Sequence, residues 1–284
     1  MTTETDRVHV FSFGGGVQST ACLVLAARGE LPATDTSHRW DAFVFAHVGE
    51  ASENPATLDY VENVAKPYAA AHGIELREVR KARRDGTPDD LLALILRTER
   101  SLPFPVRMMN GAPGQRSCPA EYKIRPLERE HKRMGATTER PGIVGIGISM
   151  DELQRAKGWG EVDPRSPSQI REYPLLRLQL RRRDCLEIIR EAGLPQPPRS
   201  ACWFCPFHSL DEWRRLRRDH PELWQRAVEL ERTLIERRHR LGKDAVYLTR
   251  YGRPIDEVVH DQLTLGVDDP GTDEAPCDSG HCFL

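Results

Sequence analysis

The stretch at residues 8–20, Val-His-Val-Phe-Ser-Phe-Gly-Gly-Gly-Val-Gln-Ser-Thr, constrains the fold of this chain more than any other. It begins as a short apolar run with β-branched residues, the pattern of a buried strand. Gly14, Gly15 and Gly16 follow, then Gln18, Ser19 and Thr20, and the apolar run from Ala21 to Ala27 predicts a helix. Strand, glycine turn and helix start together form a phosphate cradle. Glycine lets the backbone approach an anion, and the unpaired N–H groups and dipole of the helix start favour negative charge. Ser12, Ser19 and Thr20 add hydroxyl donors. The plain alternative is a glycine-rich turn with no ligand. Two common nucleotide loops fit poorly: one needs Lys directly before its Ser/Thr, where this chain has Gln18. The other needs glycines spaced one and then two residues apart, and the run at 14–16 breaks that spacing.

Further along, 41–49 reads as a second strand, apolar enough to be covered on both faces. An amphipathic helix is expected over 57–72, a short third strand over 76–79, a helix over 89–100 and a strand over 141–148. This alternation predicts an α/β fold with a doubly wound, mostly parallel sheet and a ligand at the carboxyl ends of its strands. His47 and Glu53 fall just past the second strand, where such a sheet presents side chains to a nucleotide. His47 is either a contact of that kind or a satisfied strand-end histidine. Residues 101–117 and 158–172 read as loops, 183–192 as a helix, and 210–241 as one or two long helices split at Pro221. The expected organisation is a nucleotide-binding domain over 1–209, a helical C-terminal extension over 210–266 and a Cys-bearing tail over 267–284.

No stretch of the 284 residues approaches the ~20 apolar positions of a membrane span. No signal-peptide pattern opens the sequence, so a cytoplasmic location is expected. In a reducing compartment, seven cysteines point to metal or redox chemistry rather than a disulfide frame. Net charge is −2, so a nucleic-acid partner would need a local basic patch. The arginine runs at 181–183, 214–215, 217–218 and 237–238 alternate with acids and read as solvated helix faces. A basic stripe with Trp203, Trp213 and Trp224 for base stacking is the alternative.

Cys202 and Cys205 form a Cys-x-x-Cys followed by proline, a spacing that aims two sulfurs to one side. By itself the pair is ambiguous among zinc, an iron–sulfur cluster and dithiol redox. Cys118 is a third candidate ligand from a distant segment, against the alternative of a small buried hydrophobe. Cys185, on an amphipathic helix, is a candidate fourth ligand that reads more readily as core, and Cys22 reads as core.

The glycine loop resembles the PP-loop of the ATP pyrophosphatases, whose superfamily includes phosphoadenylylsulfate (PAPS) reductases, tRNA thiolases and DNA phosphorothioation enzymes. Gln18 stands where that loop usually has Asp. Cys118 with Lys123-Ile124-Arg125-Pro126-Leu127 resembles a segment of the assimilatory adenylylsulfate (APS) reductases. There, cysteines at this point and a later Cys-x-x-Cys hold a [4Fe–4S] cluster; this chain has one cysteine, after Ser117, where those enzymes have two. Across nearly its whole length the pattern resembles a phage and bacterial group of PAPS reductase-like proteins. The shared segments are Gly-Gly-Gly-x-Gln-Ser-Thr, Arg-x-Cys-x-x-Glu-Tyr-Lys-Ile-x-Pro, Ser-Ala-Cys-x-Phe-Cys-Pro-Phe-His-Ser and a cysteine-bearing C-terminus.

The resemblance implies an adenine nucleotide alpha hydrolase-like fold that binds ATP and Mg2+ through Ser12, Gly14, Gly15, Gly16, Gln18, Ser19, Thr20 and Glu53. It implies a 4Fe-4S cluster on Cys118, Cys202 and Cys205, with Cys185, a tail cysteine or nothing in the fourth place. Lys123, Arg125 and Arg155 would face phosphates or the cluster, with solvated surface charge as the alternative. Cys282, with Cys277 on the tail, would carry sulfur as the mobile tail cysteine of PAPS reductases does. The implied activity is adenylation of an acceptor for sulfur insertion, the acceptor being nucleic acid as in DNA phosphorothioation or tRNA thiolation. The implied partners are that nucleic acid, a sulfur donor such as a cysteine desulfurase and a second copy in a homodimer, with no membrane. The alternatives are an APS/PAPS reductase that forms sulfite, and a non-catalytic zinc module that binds nucleic acid.

Overall fold

The computed structural model describes residues 7–99 and 102–260 and divides them into two compact units. The first holds residues 7–89 and 119–200; the second holds 90–99, 102–118 and 201–260. The expected boundary at 209/210 is therefore not where the units part. The segment 90–118 belongs with the C-terminal helices, because its backbone and rings are tied to them, as described below.

The first unit is a six-stranded sheet in the order β3-β2-β1-β4-β6-β5. Its strands are β1 (His9–Phe13), β2 (Ala42–His47), β3 (Leu76–Arg80), β4 (Gly142–Ile146), β5 (Val162–Asp163) and β6 (Ser166–Glu172). All neighbours are parallel except β5 and β6. Every residue of β1, β2 and β4 is buried, as expected of strands with helices on both faces. Phe11 stacks on Phe43 at 4.7 Å, and with Phe13, Phe45 and Leu23 anchors the main core. Gly145 is required by packing: a Cβ there would collide with Trp40 and Phe11.

The 158–172 segment, expected as a loop, contributes β5 and β6 instead. Its polar composition hid a strand whose Gly142↔Gln169 to Gly145↔Glu172 pairing with β4 is made by the backbone alone. The helices of this unit are α1 (Val17–Ala27), α2 (Pro55–Tyr60), α3 (Lys66–Ala71), α5 (Arg125–Arg133), α6 (Pro174–Arg177) and α7 (Arg182–Glu191). Wide turns with π-type bonding, Val61–Ala65 and Ala120–Ile124, sit just before Pro67 and Pro126. A proline has no N–H and its ring crowds the carbonyl four residues back, so a widened turn lets the helix run through it.

The second unit comprises α4 (Leu91–Arg97), α8 (Leu210–Asp219), α9 (Pro221–Arg240) and α10 (Ile255–Val258). Arg107 and Tyr247 exchange both backbone hydrogen bonds at 2.8 Å, and Phe104 meets Phe204 edge-on at 5.7 Å. Arg237 is buried and donates to the carbonyls of Ile95 and Leu96 at 2.7 and 2.9 Å, capping the end of α4. It is thus not the solvated cation expected from its run. Trp203, Trp213 and Trp224 are also buried, with Trp213 and Trp224 6.4 Å apart, so they form core and not the base-stacking stripe that was the alternative reading. No helix among the described residues is long and apolar enough to cross a membrane.

Glu231 on α9 is buried and accepts from the N–H groups of Leu248 and Ile255, both at 2.6 Å. Burial pushes its carboxyl up from the ordinary 4.5 to about 7, and the two N–H donors oppose that shift without cancelling it. Folding therefore takes up a proton between these values. The contribution is full below 4.5 and is lost as pH rises through about 7. Between about pH 4.5 and about pH 8 the wild type should lose more stability than Glu231→Gln, by on the order of 3 kcal/mol in urea unfolding. Equal losses in the two proteins would contradict this.

Candidate functional site

The strand order reverses beside β1. The chain moves outward through β2 and β3, then returns to place β4 on the other side of β1. Such a switch point leaves a crevice at the carboxyl ends of the two strands, where open α/β sheets bind ligands. Both segments expected to carry chemistry in this unit begin there: the Gly14–Gly16 turn follows β1, and the turn Met150–Arg155 follows β4. They meet closely, because a Cβ on Gly147 would lie 3.4 Å from both Gln18 Cβ and Ser19 N.

Gly16 is the N-cap of α1, and Gly15 has φ +75. A side chain on Gly15 would press on Thr57 at 3.0 Å and Val61 at 3.2 Å besides straining the backbone. The loop is braced from within and from outside. Ser19 Oγ accepts from Gly16 N at 3.1 Å and donates to Gly16 O at 3.0 Å. Ser200 Oγ donates to Gly14 O, and Thr57 Oγ1 donates to Arg199 O at 3.4 Å. Ser12 and Thr20 are buried beside it. The N–H groups of Val17, Gln18 and Ser19 at the start of α1 precede the first helical bond, from Thr20 N to Gly16 O at 2.9 Å, which is the arrangement that suits an anion.

Gln18 is buried, and its amide is engaged on both sides. Its oxygen accepts from Arg182 at 3.0 Å and its Nε2 donates to Glu152 at 3.4 Å. Arg155, also buried, is paired with the same Glu152. The position where the resembling loops have Asp thus serves here as a tie between the β1 and β4 segments. Lys123 is buried in the wide turn ahead of α5, whereas Arg125 is exposed and paired with Glu121.

Beyond β2 the two candidates part. His47 is buried with both ring nitrogens occupied: Nδ1 accepts from Gly49 N at 2.9 Å, and Nε2 lies 3.2 Å from Glu78. Hydrogen bonding to His47 and Arg80 holds the Glu78 carboxyl far below the usual carboxylate range. His47 is therefore the satisfied strand-end histidine. Glu53 is fully buried, and neither carboxylate oxygen has a hydrogen-bond partner among the described residues. A carboxylate so placed is costly unless something supplies a cation or donors. Sequence reasoning found Glu53 by its place after a strand; its lack of partners could be seen only in three dimensions.

The cysteines divide. Cys185 is fully buried on α7 in the first unit's core together with Cys22, and burial pushes its thiol up to about 12. That is a packing position, not the fourth ligand. Cys118, Cys202 and Cys205 all belong to the second unit, and Cys205 N donates to Cys202 O at 3.0 Å, closing the Cys-x-x-Cys turn. Among the described residues, however, no three or more Cys, His, Asp or Glu side chains are gathered so as to hold a metal ion. The described donor set does not fit a cluster, and no step below passes through one. Cys277 and Cys282 lie outside the described residues. No protein-family model matches the chain, and no curated protein matches its sequence.

If Glu53 is kept for ligand binding, removing its charge should relieve the folded protein. Glu53→Met should raise stability in urea by about 1–3 kcal/mol while weakening ATP binding at least tenfold. Loss of stability together with unchanged ATP binding would contradict this assignment.

Proposed function

We propose that the first unit binds ATP with magnesium at the glycine loop, in the manner of an adenine nucleotide alpha hydrolase, and uses it to adenylate an acceptor. The observation that carries this reading is the position of the loop. A glycine turn with Gly15 in the left-handed region opens a helix at the switch point of a mostly parallel sheet, and Glu53, buried just past the neighbouring strand, has no hydrogen-bond partner for its carboxylate among the described residues. The triphosphate would lie along the first-turn N–H groups of α1. Glu53 would hold the magnesium, which needs few protein carboxylates when phosphates complete its shell. The metal would supply charge neutralisation on the phosphates.

An acceptor oxygen then attacks the α-phosphorus. The bond from that phosphorus to the bridging oxygen breaks, and pyrophosphate leaves with the electron pair. The loop donors, Arg155 and Lys123 oppose the charge that grows on the leaving group, where fixed donors contribute most. The adenylated oxygen is now a good leaving group. A donor such as a cysteine desulfurase would bring sulfur as a persulfide. Its outer sulfur attacks the acceptor, and AMP leaves with the acceptor oxygen. A thiol reductant then cleaves the resulting S–S bond, itself ending as a disulfide, to free the thiolated acceptor. We propose nucleic acid as the acceptor, in DNA phosphorothioation or tRNA thiolation, on the resemblance of the loop and cysteine motifs.

Incubation with α-labelled ATP and candidate DNA or tRNA acceptors tests this directly. The expected products are AMP and pyrophosphate in equal amounts, with turnover lowered about 10²–10³-fold in Arg155→Ala. ADP and phosphate as products, or sulfite release from PAPS or APS without ATP, would overturn the proposal; sulfite release would favour the reductase.

A further inference from the structure

The opposite end of the same sheet carries an open cleft of about 530 Å³ lined by Arg7, Arg39, Arg77, Arg133 and Arg140, with Asp41 as its acid. These arginines come from five places in the chain: ahead of β1, ahead of β2, within β3, at the end of α5 and ahead of β4. They converge at the amino ends of the parallel strands, away from the glycine loop. We infer that this cleft binds the phosphodiester backbone of a nucleic acid. This inference does not rest on the ATP reading.

Charge comes first. Five guanidinium groups line the cleft, and among the described residues Asp41, Glu75 and Glu130 are seen to pair with Arg39, Arg77 and Arg133, so cations are concentrated here on a chain of net charge −2. Those carboxylates also fix the geometry. Glu130 bridges Arg77 at 2.6 Å and Arg133 at 2.7 Å, and Glu75 grips Arg77 through two bonds of 2.6 and 2.8 Å. Arg39 is held by Asp41 at 2.7 Å, and Arg7 donates to the Pro141 carbonyl at 3.2 Å. Guanidinium groups held in place lose less freedom on meeting a ligand, and their planar forks match phosphate oxygens.

The shape and lining select the ligand class. Arg39 and Arg133 are largely exposed, so a small phosphate compound here would stay mostly in water, unlike ligands of enclosed pockets. An extended polyanion engages several arginines at once. Among the described residues the apolar lining is limited to Val8 and Met134, which pack on the sheet's own core, and these offer no anchor of the kind a protein interface buries. Among the described residues no aromatic side chain lines it for base stacking. Binding should therefore be set by phosphates and indifferent to sequence.

The test is fluorescence anisotropy with two labelled oligonucleotides of unrelated sequence, without ATP, over a range of salt. The wild type should bind both equally and weaken steeply with salt. The triple variant Arg7→Gln/Arg39→Gln/Arg140→Gln should reduce the log–log salt slope by about three, and the exposed single change Arg39→Gln by about one. ATP binding should be unchanged in both. No oligonucleotide binding by the wild type, or wild-type slopes in both variants, would overturn the inference. So would equal competition by polyglutamate, which would indicate an acidic protein partner.

Discussion

The first unit depends on the position of β1 between β2 and β4. Its backbone is bonded on one side from Val10↔Ala42 to Phe13↔Phe45 and on the other from His9↔Ile143 to Ser12↔Ile146. Parallel pairing on both sides holds the strand end, and hence the glycine turn, within the rigid core. Gly145 lets Trp40 and Phe11 close over β4, and Gly147 lets β4 run hard against the start of α1. Two small residues thereby bring the glycine turn and the start of α1 against the segment carrying Glu152 and Arg155. Gln18 and Arg182 complete that junction through hydrogen bonds instead of charge on the loop.

What sequence could show follows from what periodicity encodes. β1, β2 and β4 are apolar on both faces, so they were legible as buried strands, and the switch in their order followed from the alternation with helices. β6 was not, because Ser-Pro-Ser-Gln-Ile-Arg-Glu carries little of its pairing in side-chain character. The membership of 90–118 in the second unit was equally hidden. It rests on Arg237 reaching back to Ile95 and on the Arg107–Tyr247 backbone pair, contacts across more than a hundred residues with no local signature. Arginine runs are ambiguous for the same reason: Arg237 is a buried cap, while Arg238 beside it is half-buried and donates to the Asp244 carbonyl at 2.9 Å.

The candidate site was legible as a loop and less so as chemistry. Spacing marked the glycines and Glu53, but could not show that His47 is satisfied by Gly49 and Glu78 or that Gln18 is already bonded on both sides. Residue type alone groups four cysteines, yet Cys185 is packing, and the described members of the group do not assemble as a metal site. The two ends of the sheet also differ in kind. One presents glycine backbone and a buried carboxylate, the other a set of guanidiniums held by carboxylates, and the two proposals made for them, a small nucleotide and a polymer, follow that difference.

Amide hydrogen exchange with and without ATP and magnesium tests the central claim most directly, since it reports where the ligand sits. Protection should appear in the first turn of α1, over Gly14–Thr20, and in Met150–Arg155, with no change at Arg7, Arg39 or Arg140. Protection confined to other segments, or none at saturating ATP, would show that the glycine turn is a structural corner and not a phosphate cradle.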